Sequence, residues 1–184
     1  MPRQADPHLR ERILDAARKL YLKGGEKALS LRVLAKAAQT NTPAVYRRFR
    51  SRKEILRALV QRVQQDLVAV VQACDSPQEA CYRTLEFALA HPHEYQLIST
   101  GVSWKVNEPR PVFELMKRRS AELLGGAPED HAGLVLALWA LVHGVAMLLI
   151  SKAVPLAHAA ELRLVLAQGV ELMARKPPDL SVRK

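Results

Sequence analysis

Apolar positions recur three and four residues apart along most of the chain, and no run alternates strictly enough for a strand. The sequence therefore predicts an all-α protein of about nine helices. A first helix places Leu9, Ile13, Ala16, Ala17, Leu20 and Tyr21 on one face and stops at Gly24-Gly25. Ser30 is an N-cap for a second, two turns long, with Leu31, Leu34, Ala35 and Ala38 inward. Asn41 caps a third, which carries Pro43 in its first turn and turns Val45 and Phe49 inward. Ser51-Arg52-Lys53-Glu54 reads as a capping box ahead of a long amphipathic helix, 52–73, striped by Ile55, Leu56, Leu59, Val60, Val63, Leu67, Val70 and Val71. A second box, Ser76-Pro77-Gln78-Glu79, opens a helix running to His91-Pro92. Further helices are expected from Glu94 to Trp104, over Val112 to Leu124, through the apolar run ending near Ala153, and between Pro155 and Lys176.

Charge divides this helical chain unevenly. Residues 1–65 hold 16 Lys/Arg against 5 Asp/Glu, whereas residues 66–184 hold 12 against 13. The whole net charge of +10 thus belongs to the first third, as in a polyanion-binding module joined to a near-neutral one. The boundaries that follow are 1–52 for the basic domain, 53–176 for the neutral helical domain and 177–184 for a frayed tail. Two cysteines, Cys74 and Cys81, form neither a disulfide framework nor a zinc module, and no apolar leader stands at the N-terminus. A reducing cytoplasm is the expected location.

Residues 132–150 contain no formal charge over 19 positions, which meets the length rule for a membrane span. His143 and Gly144 near its centre, four alanines, and no basic cluster on a single flank argue instead for a soluble helix buried on every face. A small monomer has too little mass to cover such a helix, so a subunit interface is expected and a membrane is not.

Three short helices, the second and third separated by a few residues, form the helix-turn-helix pattern. Cations in a helix's first turn oppose its macrodipole, yet Arg32 follows Ser30, and Arg52-Lys53 follow Ser51. Beside free backbone N–H groups such cations complete a phosphate site. In detail, Arg12-Ile13-Leu14-Asp15-Ala16-Ala17, Gly24, Ser30-Leu31-Arg32-Val33-Leu34-Ala35 and Tyr46-Arg47-Arg48-Phe49-Arg50-Ser51-Arg52-Lys53-Glu54-Ile55-Leu56 stand in fixed order over some fifty residues. On these motifs residues 10–60 resemble the DNA-binding domain of the TetR family of transcriptional regulators. Trp139-Ala140-Leu141-Val142-His143-Gly144 is similar to a Trp-x3-His-Gly run of one subgroup. Two positions depart from the family pattern: Thr40 replaces an apolar residue, and Ala38-Gln39-Thr40-Asn41 lacks the usual glycine, which puts a left-handed residue at Gln39.

The resemblance implies that Thr42, Pro43 and Ala44 begin the recognition helix in the major groove. Base readout then falls to Arg32, Gln39 and Arg47; Tyr46, Arg48 and Lys53 are implied at the backbone, and Ser30 is implied among the DNA-binding residues. It further implies a homodimer built on residues 129–153 and 156–175, with Leu156, Leu162, Val165, Leu166 and Leu172 on the last helix, reading a near-palindromic double-stranded operator. A small apolar effector is expected among Phe87, Tyr95, Trp104, Phe113, Met116, Trp139, His143 and Met147, opposing DNA binding reciprocally as in a repressor.

No Ser/His/Asp order, HExxH, EF-hand loop or P-loop is present, and the six histidines are scattered, so the sequence predicts no catalytic residues, metal or cofactor. Two rival readings are a regulator or architectural protein without an effector, and a basic surface binding RNA or anionic membrane by charge alone.

Overall fold

A computed structural model describes residues 6–99 and 110–175. Among them are nine α-helices and no strand: α1 (Leu9–Gly24), α2 (Leu31–Ala37), α3 (Thr42–Arg48), α4 (Arg52–Gln72), α5 (Pro77–Ala90), α6 (Pro92–Ser99), α7 (Pro111–Leu124), α8 (Ala132–Ile150) and α9 (Ala159–Arg175). The helix expected from Glu94 to Trp104 is seen as α6, and its later residues, Trp104 included, lie outside the described residues. The chain forms two compact units, Met1–Val63 with His93–Glu108, and Gln64–Pro92 with Pro109–Lys184.

In the first unit Ile13, Ala17, Leu34, Val45, Phe49, Ile55 and Leu59 are each at most 1% exposed and make one apolar core. Helix caps fix how the chain enters it. Ser30 Oγ accepts from Val33 N–H (3.2 Å), Asn41 Oδ1 from Ala44 N–H (2.9 Å) and Ser51 Oγ from Glu54 N–H (3.2 Å). Glu54 returns the favour one residue early, accepting from Arg50 N–H at 2.7 Å.

The second unit surrounds α8. Helix α5 packs on α7, α8 and α9, and α8 packs on α7 and α9. Leu134, Val135, Leu138, Val142, Val145 and Ala146 form the buried stripe of α8, while Leu136 is 50% and Trp139 39% exposed. The stretch Pro128–Ile150 is long and apolar enough to cross a membrane by length and composition, a property shared by helices that soluble proteins bury. On α9, Leu166 and Val170 are buried, whereas Leu164, Val165 and Leu172 are 58%, 51% and 69% exposed. Each helix thus turns a second apolar face outward in the single chain.

Candidate nucleic-acid interface

Helices α2 and α3 pack on each other across a four-residue turn. The turn closes as a Schellman motif: Gln39 N–H donates to Lys36 O (3.1 Å) and Thr40 N–H to Ala35 O (2.9 Å), with Gln39 at φ +53°. The strain expected at Gln39 is therefore present, and it sets the direction in which α3 leaves α2.

Along α3 the short side chains separate by face. Pro43 is exposed and Thr42 half-buried at the helix start, where Asn41 Oδ1 takes the Ala44 N–H and proline has none to offer, so that only the Thr42 N–H of the first turn is uncapped. Ala44, expected at the groove, is only 4% exposed; its methyl packs into the core beside Val45, because both belong to the inward stripe of α3. Tyr46 is 51% exposed, so it does not serve as a cap over the small core. Arg47 and Arg48 follow it on the exposed side.

The cations sort by what they already hold. Arg32, Arg47 and Lys53 are exposed, with no ion pair or hydrogen bond among the described residues. Ser30 and Gln39 are exposed beside them. Arg52 is engaged with the Glu26 carbonyl and, at 3.5 Å, its carboxylate, which answers the unfavourable macrodipole of its position from within the protein. Arg48 donates to Asp6 O at 3.0 Å, and Asp6 also pairs with Arg12, so Asp6 is held at the C-terminal end of α3. Arg10 lies 5.2 Å above the Phe49 ring, covering the end of α3. Neither Arg10 nor Asp6 was singled out by sequence, since such contacts leave no periodic signal.

The residues expected around an effector divide between the units. Phe87 and Met116 are buried and Phe113 half-buried in the second unit. Tyr95, 2% exposed, belongs to the first, where burial pushes its hydroxyl up to about 12. Trp139, His143 and Met147 share the outer side of α8 with Leu136, the Trp139 and His143 rings lying tilted at 37° with centroids 5.9 Å apart. Among the described residues no group of three or more His, Cys, Asp or Glu could hold a metal ion.

A short helix fixed by its turn on a three-helix core, with exposed, unpaired cations around it, defines a helix-turn-helix DNA-binding protein. The family comparison agrees: residues 13–59 match the model of bacterial regulatory proteins of the tetR family, and residues 78–173, more than half of the chain, match that of the tetracyclin repressor-like C-terminal domain. The chain belongs to the TetR family of transcriptional regulators, which are not enzymes. No curated protein matches it. Among solved structures it is similar to the transcriptional regulator SCO7222, a TetR from Streptomyces coelicolor, at 24% identity and TM-score 0.69, covering 90% of this chain and 95% of that one. It is also similar to a protein of unknown function from Rhodococcus sp. RHA1, at 22% identity and TM-score 0.71, covering 95% and 96%. A TetR variant from Acinetobacter baumannii AYE in complex with minocycline matches at 17% identity and TM-score 0.67, covering 94% and 98%. At these identities the likeness is one of fold.

Proposed function

We propose that the protein is a cytoplasmic, homodimeric repressor that leaves a near-palindromic operator when a small, largely apolar effector binds its second unit. The observation that carries the DNA half is the surface around α3: Tyr46 is half exposed, and Arg32, Arg47 and Lys53 are committed to nothing within the described protein. In this reading Thr42 and Pro43 approach the bases, and Arg32, Gln39 and Arg47 read base edges. Ser30, Tyr46, Arg48 and Lys53 set register on phosphates. Ala44 supplies packing and no side-chain contact.

The dimer rests on the outward apolar faces of α8 and α9. Leu136, Trp139, His143 and Met147 on one helix and Val165 and Leu172 on the other would meet their twofold mates. The Trp139-x3-His143-Gly144 run then belongs to that contact. Gly144 supports this: a Cβ there would meet nothing within 4 Å in the single chain, so its surface is free for a close-packed partner helix. Such burial also accounts for an uncharged 19-residue helix without a membrane.

Selection of bound fragments from genomic DNA, followed by titration at two salt concentrations, tests the proposal. A single palindromic motif bound by two chains is expected. Equal binding to scrambled duplexes, differing only in salt slope, would replace it with the charge-only reading.

A further inference from the structure

Among the described residues, the interior of the second unit contains two polar side-chain atoms without a hydrogen-bond partner. Ser120 on α7 is 0% exposed, and its Oγ has no hydrogen-bond partner among the described residues. Gln78, in the first turn of α5, is half-buried as a residue, but its Oε1 is sealed from solvent and equally without a partner there. Native interiors retain few such atoms, because each forfeits a hydrogen bond to water and gains nothing. A helical serine ordinarily escapes this by donating to the carbonyl four residues back. Ser99 does so to Tyr95 O at 2.7 Å, and Ser151 to Met147 O at 2.6 Å. Ser120 makes no such bond.

The two atoms stand on inward faces of helices that pack together. Gln78, Cys81, Leu85 and Ala88 follow one stripe of α5, the last three of them buried; Phe113, Met116 and Ser120 follow one stripe of α7. Their level in the unit agrees as well. Arg119, next to Ser120, donates to the carbonyls of Cys74 and Gln72, so this turn of α7 lies beside the α4–α5 connection from which Gln78 starts. Of the cations on this stretch of α7, Arg119 is engaged by those carbonyls and Lys117 by Glu114 at 2.9 Å and Glu129 at 3.6 Å, while Arg118 is exposed to solvent.

We infer that Ser120 and Gln78 are the polar end of the effector site, with Phe113 and Met116 as its apolar wall, and that the ligand is an uncharged apolar molecule carrying one hydroxyl. A hydroxyl is an uncharged group that can both donate, as Gln78 Oε1 requires, and accept, as Ser120 Oγ–H allows. A carboxylate or ammonium would enter an apolar interior whose buried or half-buried cations, Lys117 and Arg119, already have partners. The inference rests on the effector reading above.

A matched pair of probes, 4-pentylphenol and pentylbenzene, tests it by calorimetric titration of the full chain. The phenol is expected to bind about tenfold tighter than the hydrocarbon, the worth of well-made buried hydrogen bonds. Ser120→Ala and Gln78→Leu should each bring the phenol down toward the hydrocarbon's affinity and leave pentylbenzene unchanged. Circular dichroism confirms that each variant is folded; the two lie on different helices, so either alone suffices. If both probes bind alike, or the variants change stability but not the phenol's advantage, the polar end is refuted and the effector site stands. If neither probe binds, the effector reading fails and takes this inference with it.

Discussion

Arg18 and Glu94, 76 positions apart in the chain, meet through two hydrogen bonds, Nε to Oε1 at 2.5 Å and Nη2 to Oε2 at 3.3 Å. The glutamate is fully buried and the arginine about a quarter exposed, so the pair fastens α6 to α1 inside the first unit. Fork geometry on both oxygens offsets the desolvation of the carboxylate. Arg18→Met, which deprives that carboxylate of its guanidinium, is expected to lower stability by about 3 kcal/mol, near the usual cost of breaking a buried pair. Glu94→Gln retains an amide of the same shape and should cost less. Urea unfolding of the two variants checks the order; a larger loss from the glutamine variant would mean that shape, not charge, holds α6.

Gln39 bears a left-handed backbone that costs a residue with a side chain about 1–2 kcal/mol. Gln39→Gly removes this strain and returns about 0.5–1 kcal/mol of it through the greater freedom of the unfolded chain. A net gain of about 0.5–1 kcal/mol is expected from the shift in urea midpoint. Gln39→Val, β-branched at the same φ, should be clearly destabilising. If the glycine variant is also less stable, then the side chain contributes more to the turn than its strain removes.

These two cases mark what the sequence made legible. Gln39 could be read because a Schellman turn needs a left-handed residue at one position, and the chain offers no glycine there. Ser30, Asn41, Ser51 and Ser76 could be read because a cap is a local event between neighbouring residues, and all four accept the expected backbone N–H. The Arg18–Glu94 pair left no such trace, since its partners are joined only by the folded path of the chain. Ala44 shows the same limit at one residue: position in the recognition helix marks it for the groove, but a 100° turn per residue puts it inside. On α8, composition announced a helix to be covered all round, yet only packing reveals that Trp139, His143 and Met147 lie on the side away from Leu138 and Val142.

Burial keeps both thiols protonated. Desolvation raises the Cys74 thiol, and pushes that of Cys81 up to about 12 from 9.0, with nearby Cys74 adding to the shift. At pH 8 neither should react appreciably with a thiol-specific disulfide reagent in the native protein, and both should react once urea unfolds it. Raised values also fix a sign. The protonated forms of Cys81 and of Tyr95, moved from 10.0 to about 12, are favoured by folding, so their contribution is complete below pH 9 and is lost as pH rises toward 12. Stability measured by urea between pH 8 and 11 should fall; a flat profile would contradict the burial of both groups.

On DNA, Arg32 and Lys53 should fail differently. Arg32→Ala is expected to cost about 1–3 kcal/mol on the operator and to relax preference at one base pair. Lys53→Ala should weaken operator and random duplex about equally and reduce the salt slope by about 1. Fluorescence anisotropy at several salt concentrations separates the two patterns. Equal losses on both duplexes for both variants would assign Arg32 to the backbone as well.

Leu172 is 69% exposed in the single chain, so a charge there meets water and should change the stability of an isolated subunit by no more than about 0.5 kcal/mol. In a dimer closed through α9 the same charge is buried twice, once from each chain, in an apolar contact with nothing to pair it. Leu172→Glu is therefore expected to turn a dimer into monomers at micromolar concentration, as seen by sedimentation equilibrium, while leaving the circular dichroism of the helices intact. Operator affinity should drop with it, because two half-sites then bind separate chains and the second contact is no longer intramolecular. A variant that remains dimeric would place the interface on the α8 face alone, where Leu136→Glu is the corresponding test. The same logic makes position decisive: Leu166, three residues from Arg163 but wholly buried within its own unit, should on replacement by Glu unfold the subunit instead of separating two.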